Sequence, residues 1–324
     1  MNTNGIKHIV PLEDILSGGP PMDGIPSIDN PKFISAIEAD EFLNAEDLVL
    51  GIEINGVTKA YPRKIVVWHE IVNDIAGGTP VAVTYCPLCF TGAAFERILG
   101  GDVVEFGVSG KLYNSDLVMY DRKTQSYWSQ ITGQTILGEL AGQKLTRISL
   151  DTLEWANWKE LHPDTKVLST DTGIPRNYNS DPYLGYYSSN NVMFPVDNID
   201  NRLHLKTLVY GVVINGEAKA YPENDMIKTG LINDIVGGKP ILALLNIETG
   251  TVKIFERTVE GITIEFKIDN GQLIDTTTNS IWSYSGEGIS GKHMNTQLIE
   301  VIAPPHFWFA WAAFYPETDL FSAE

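Results

Sequence analysis

Basic residues are scarce in this chain. Against 41 Asp and Glu, its 324 residues include 23 Lys and Arg, a formal net charge of −18. Nucleic-acid surfaces need an excess of Lys and Arg, so polyanion binding is disfavoured, and anionic membrane surfaces are disfavoured for the same reason. Long hydrophobic runs are missing too, with none near the ~20 residues that span a bilayer. The opening MNTNGIKHIVPLEDILSGGPP has no basic stretch followed by an apolar one, so no secretory signal and a cytoplasmic location are expected. Cysteine is almost absent. The two that exist share one tetrapeptide, Cys86-Pro87-Leu88-Cys89, which excludes a disulfide framework and a four-cysteine zinc site within one chain. No GxSxG elbow occurs, and GEGISG at 286–291 lacks a βαβ setting, so it reads as a glycine-rich turn.

What is present is an ordinary globular balance, 43% apolar and 20% charged, at a length that suits about two domains. The chain also repeats itself. GIEINGVTKAYP at 51–62 returns as GVVINGEAKAYP at 211–222, an offset of 211 − 51 = 160. Over 51–106 against 211–266, 21 of the 56 positions are identical, including Asn73-Asp74, Gly77-Gly78 and Phe95-Glu96-Arg97. Short alternating and β-branched runs separated by Asn-Gly and Gly-Gly turns predict a mainly β, β-rich α+β fold: two tandem, duplicated units with a few peripheral helices. SLDTLEWANWKELHP predicts a helix with an Asp cap, and SAIEADEFL a short one. The expected organisation is an N-terminal arm at 1–50, a first repeat at 51–169, an ordered connector at 170–210 and a second repeat at 211–324.

The repeat supplies an internal control. Residues kept in both copies are those a shared fold needs, whereas His69, Cys86 and Cys89 become Thr229, Asn246 and Thr249 together. One lost site explains all three. Six residues are also missing from the second copy between Phe266 and Trp282, relative to Phe106 and Trp128. The longer first-copy stretch, GVSGKLYNSDLVMYDRKTQSY, therefore reads as either a longer hairpin or a wall of that site.

HEIVND at 69–74, TYCPLCF at 84–90, GVSGKLYNSDLVMYDR at 107–122 and WSQ at 128–130 resemble the bacterial domain-of-unknown-function family 3179, as does the opening GPPMDGIPSIDNPKF. Phe90-Thr91 departs from that family, where a small pair such as Gly-Ser is expected after the second cysteine. The resemblance implies no activity.

The residues themselves point to a transition-metal site in the first repeat, with His69, Cys86 and Cys89 as ligands. Two thiolates and an imidazole suit copper, iron or zinc with a position left open. Met119 as a weak thioether ligand would tilt the choice toward copper. Sharing one ion would put a His69 nitrogen about 3–4 Å from both sulfurs. Tyr113, Asp116 and Tyr120 are the candidate catalytic residues lining the pocket, and Glu70 is a candidate partner for the imidazole. An oxidoreductase-like reaction on a small-molecule substrate is expected. Two alternatives stand beside it: a metal-free dithiol redox protein using Cys86 and Cys89, and a non-catalytic metal-binding or delivery module.

Overall fold

Asn55 and Gly56 both take positive φ, 51° and 74°, the geometry of a tight hairpin turn between twisted strands. In the computed structural model, which describes residues 1–323, turns of this kind build a mainly β fold. The chain divides into two units between Lys206 and Thr207.

Two short ribbons aside (Asn2–Thr3 with Ile6–Lys7, and Ile98–Leu99 with Asp102–Val103), the strands of the first unit are β1 (Ile15–Ser17), β2 (Phe33–Ser35), β3 (Leu48–Ile54), β4 (Val57–Pro62), β5 (Ile71–Ala76), β6 (Thr79–Cys86), β7 (Thr91–Glu96), β8 (Phe106–Tyr113), β9 (Asp116–Asp121), β10 (Tyr127–Ser129), β11 (Thr135–Leu137), β12 (Arg147–Ile148), β13 (Asp151–Glu154) and β14 (Lys166–Leu168). They form three sheets, ordered β13-β3-β4-β14-β2, β12-β7-β6-β5 and β11-β10-β9-β8-β1. Residues 1–50 thus supply edge strands to two sheets. The first two sheets meet face to face over a core of Leu50, Ile52 and Tyr61 against Val72, Val81, Val83, Tyr85 and Ala94. The third is tied on by Asn73, whose side-chain amide acts like a piece of backbone. Its Nδ2 donates to Phe106 O (2.8 Å), and its Oδ1 accepts from Phe106 N (2.9 Å).

The helices of the first unit are α1 (Ala36–Ala39), α2 (Arg63–Val66), α3 (Trp155–Leu161) and α4 (Leu184–Tyr187). Ser35 and Glu38 cap α1 reciprocally. The expected Asp cap on α3 is not what forms. Asp151 lies in β13, paired with Gly51, so the helix begins only at Trp155. Trp158 on α3 lies over Gly51, where an added Cβ would meet its ring at 2.2 Å.

In the second unit, β15 (Leu208–Ile214) and β16 (Glu217–Pro222) pair as β3 and β4 do, each register shifted by 160. β17 (Leu231–Val236), β18 (Lys239–Asn246) and β19 (Thr251–Glu256) follow, then a shorter hairpin of β20 (Phe266–Asp269) and β21 (Gln272–Asp275). Asn233 bridges to Phe266 as Asn73 does to Phe106. Asp234 accepts from Tyr221 Oη and Lys219 Nζ, as Asp74 does from Tyr61 and Lys59. No helix among the described residues is long and apolar enough to cross a membrane.

Candidate metal centre

β6 ends at Cys86, which pairs with Thr91 at the start of β7, so one thiol closes the strand and the other, Cys89, sits in the four-residue hairpin loop that follows. The loop closes because Phe90 turns left-handed, φ 58°. In the second unit Gly250 does this at φ 68°, between Asn246 and Thr251. Cys86 and Cys89 are both free thiols, 1% and 0% exposed.

A second hairpin is brought onto them. From Phe106 to its partner Asp121, β8 and β9 make a longer arm than Phe266 to Asp275 makes in the second unit. The six additional residues extend this hairpin. At its tip Asn114 and Ser115 take φ 51° and 63°. There the Ser115 carbonyl oxygen lies 3.4 Å from Cys89 Sγ and 4.0 Å from Cys86 Sγ. Asp116 Oδ1 lies 3.9 Å from Cys89 Sγ. Its other oxygen, Oδ2, accepts from Ile131 N (3.0 Å) and Ser129 Oγ (3.2 Å), which fixes the carboxylate and leaves Oδ1 facing the thiols. One donor atom from each of Cys86, Cys89 and Asp116 lies within 4.8 Å of the others.

His69 is not in that group, and its ring explains why. Nδ1 is 2.8 Å from Pro26 O, and Nε2 is 2.8 Å from Tyr178 Oη. A carbonyl only accepts, so Nδ1 carries the proton, and neutral Nε2 accepts from the tyrosine hydroxyl. Burial lowers the imidazole's pKa, which keeps it neutral. His69 therefore clasps the N-terminal segment to the connector. Glu70 does not orient it, because neither ring nitrogen is left for that role.

The remaining candidates separate. Tyr120 lies four residues along β9 from Asp116, about 13 Å at ~3.3 Å per residue. Its hydroxyl donates to Asp23 Oδ2 (2.6 Å), within an arm network that includes Arg122. Tyr113 pairs with Asp116 across the turn but packs on Val10, Val118 and Ile136. The charges raising its hydroxyl pKa, after burial, are Asp197 and Asp14. Met119 is buried and three residues from Asp116, so strand alternation puts it on the opposite sheet face, where no thioether reaches the thiols. Asp116 alone of the three pocket candidates joins the cysteines.

The electrostatics are those of crowded acids. Burial pushes the Asp116 carboxyl up to about 7 and the Glu70 carboxyl to about 8, the latter helped by the charge of Asp116. Burial likewise raises both thiols, Cys89 well above its ordinary value. Among the described residues neither carboxylate has an ion-pair partner.

The connector covers this site with residues that spacing arguments miss. Tyr186 on α4 donates to Leu88 O (3.1 Å) inside the CPLC loop, and Asp197 N donates to Asn114 Oδ1 (2.8 Å) at the hairpin tip. Arg63 stacks on Phe90 and Tyr187, 5.7 and 5.2 Å from the ring centres. Behind the loop, Gln130 Nε2 donates to Thr84 Oγ1 and Thr91 O, both at 3.0 Å. Comparing the copies could have found Thr84 and Gln130, because the 160-residue offset sets Leu244 against Thr84, and Trp282-Ser283 aligned on Trp128-Ser129 sets Tyr284 against Gln130.

No curated protein and no solved structure matches the chain. A family model does, over residues 22–318, which takes in both units and every residue of the thiol–carboxylate cluster. The chain belongs to the family described as "Protein of unknown function (DUF3179)".

Proposed function

We propose that the first unit binds one transition-metal ion through Cys86 Sγ, Cys89 Sγ and Asp116 Oδ1. The observation that carries this reading is the convergence of three acidic donors within 4.8 Å in a fully buried position. Buried ionised groups are costly unless paired or bound to a metal. A divalent ion supplies the missing charge and holds thiols and carboxylate deprotonated. A carboxylate in place of imidazole is a harder donor, which favours zinc or iron over copper. The thioether that would have argued for copper lies on the other sheet face. Three protein ligands leave a position for a small molecule, which suits Lewis-acid or, with iron, redox chemistry.

The metal-free dithiol reading has less support. Reactive CxxC thiols have lowered pKa values, commonly at a helix N-terminus. This CxxC lies in a β-hairpin loop, and burial moves both thiols the other way.

Elemental analysis of protein purified without a chelating tag tests the proposal. About one zinc or iron per chain is expected, and Cys86→Ser should abolish it with an unchanged circular dichroism spectrum. Wild-type protein that stays empty after exposure to Zn(II), Fe(II) and Cu(I) overturns it. A reversible Cys86–Cys89 disulfide in such protein would favour the dithiol reading.

A further inference from the structure

Three backbone positions around the sulfurs are left-handed in both units. In the second unit they are Gly230, Gly250 and Gly271, with φ of 68°, 68° and 77°. In the first they are Glu70, Phe90 and Ser115, at 59°, 58° and 63°. Other left-handed positions match in kind, such as Asn55 with Asn215, Gly77 with Gly237 and Gly78 with Gly238. An exchange of the opposite sense, Gly100 against Glu260, falls on an exposed turn. Holding a residue with a Cβ in this region costs roughly 1 kcal/mol or more.

Glu70 is the most demanding of the three. The turn from α2 into β5 needs a left-handed residue there, because its N–H donates to Val66 O (2.7 Å) and its carbonyl accepts from Tyr85 N (2.8 Å). Gly230 makes the same two bonds, to Met226 O and from Leu245 N, without a side chain. The local fold therefore asks for glycine. What occupies the position is a carboxylate only 7% exposed, with no hydrogen bond or ion pair among the described residues. Its electrostatic neighbours are Asp116, Cys86, Cys89 and the hydroxyl of Tyr183. Strain, burial and like-charge crowding all oppose an ionised carboxylate there, and no cationic side chain among the described residues offsets them.

We infer that Glu70 is a fourth ligand of the ion held by Cys86, Cys89 and Asp116, making a two-sulfur, two-oxygen site for a divalent cation such as zinc or iron. This rests on the metal-binding reading above. The strained backbone then has a purpose, since it sets a second carboxylate beside the site where the second unit has none; its oxygens lie outside the 4.8 Å group of the other three donors, so the side chain closes onto the ion when the ion binds. A paired sulfur and oxygen donor set also disfavours Cu(I), which prefers sulfur and imidazole.

The test uses the full chain loaded with Zn(II), or with Co(II) as a spectroscopic substitute. Glu70→Gly installs the residue that suits the backbone, and Glu70→Gln keeps the size without the charge. We expect both variants to bind Zn(II) at least tenfold more weakly than wild type. Their Co(II) d–d bands should change while the sulfur-to-cobalt charge-transfer band persists. In chelator, Glu70→Gly should melt at or above the wild-type temperature. Unchanged Zn(II) affinity and an unchanged Co(II) spectrum would overturn the inference while leaving the Cys86–Cys89–Asp116 site standing. A Glu70→Gly protein that melts well below wild type in chelator would also overturn it, by making the carboxyl a support of the fold. If wild type binds neither ion, the metal-binding reading itself fails and takes this inference with it.

Discussion

Asp116→Asn separates a residue kept for the fold from one kept for a cation. The amide oxygen can still accept from Ile131 N–H and Ser129 O–H, so the hydrogen bonds at Oδ2 survive while the charge is removed. In metal-free protein the carboxyl is pushed from 3.8 up to about 7, mainly by burial. A folded pKa above the unfolded one means that the folded state holds the proton more tightly. This contribution is fully present below about pH 4 and is lost as pH rises through about 7. At about 1.4 kcal/mol per pH unit the loss amounts to about 4 kcal/mol, an upper figure for one group. Urea unfolding in chelator at pH 5 and pH 8, followed by tryptophan fluorescence, measures it. At pH 8 Asp116→Asn should be more stable than wild type by about 2–4 kcal/mol, and the gap should narrow at pH 5. Saturating Zn(II) should reverse the order, because wild type gains a charged ligand that the variant lacks. A variant less stable than wild type in chelator at both pH values would refute the reasoning, since the ionised carboxylate would then be supporting the fold.

His69→Ala should leave metal content unchanged and lower stability by about 1–3 kcal/mol, through the bonds lost to Pro26 O and Tyr178 Oη; elemental analysis and urea titration of one preparation check both. Loss of metal in this variant, with the fold retained, would restore the imidazole as a ligand. Because burial raises Cys86, Cys89 and Asp116, the metal-free site is protonated near neutral pH, so binding should release protons and the apparent affinity should climb with pH. Calorimetry in two buffers of different ionisation enthalpy reads the number released, and a value near zero would contradict it.

Much of this was legible in the chain itself. The β-rich class, the Asn-Gly hairpin and the structural role of Asn73 and Asp74 follow from turn chemistry and from residues kept at an offset of 160, and the hydrogen bonds explain why they are kept. The meeting of the thiols with the longer hairpin was legible as well, because Cys86, Cys89 and the six additional hairpin residues are absent from the second copy together. The grouping of Asp116 with the two cysteines was not. His69 differs between the copies alongside the cysteines, but such a difference reports a shared neighbourhood and not shared coordination. Its actual partner, Tyr178, lies 109 residues away in a connector whose packing no local pattern encodes. Asp116 and Tyr120 share one face of β9, so alternation alone could not separate the residue at the hairpin tip from the one beside Asp23. Glu70 was visible as an acid next to a histidine. Its burial and its left-handed backbone, set against Gly230, distinguish it from a surface carboxylate, and neither is written in the local sequence.

X-ray absorption at the edge of the bound metal tests the central claim most directly, because it counts sulfur and separates imidazole from carboxylate. The predicted spectrum has two sulfur ligands at ~2.3 Å with oxygen at ~2.0–2.2 Å, and lacks the multiple-scattering signature of imidazole. An imidazole signature, or a first shell without sulfur, would contradict a centre built from Cys86, Cys89 and Asp116.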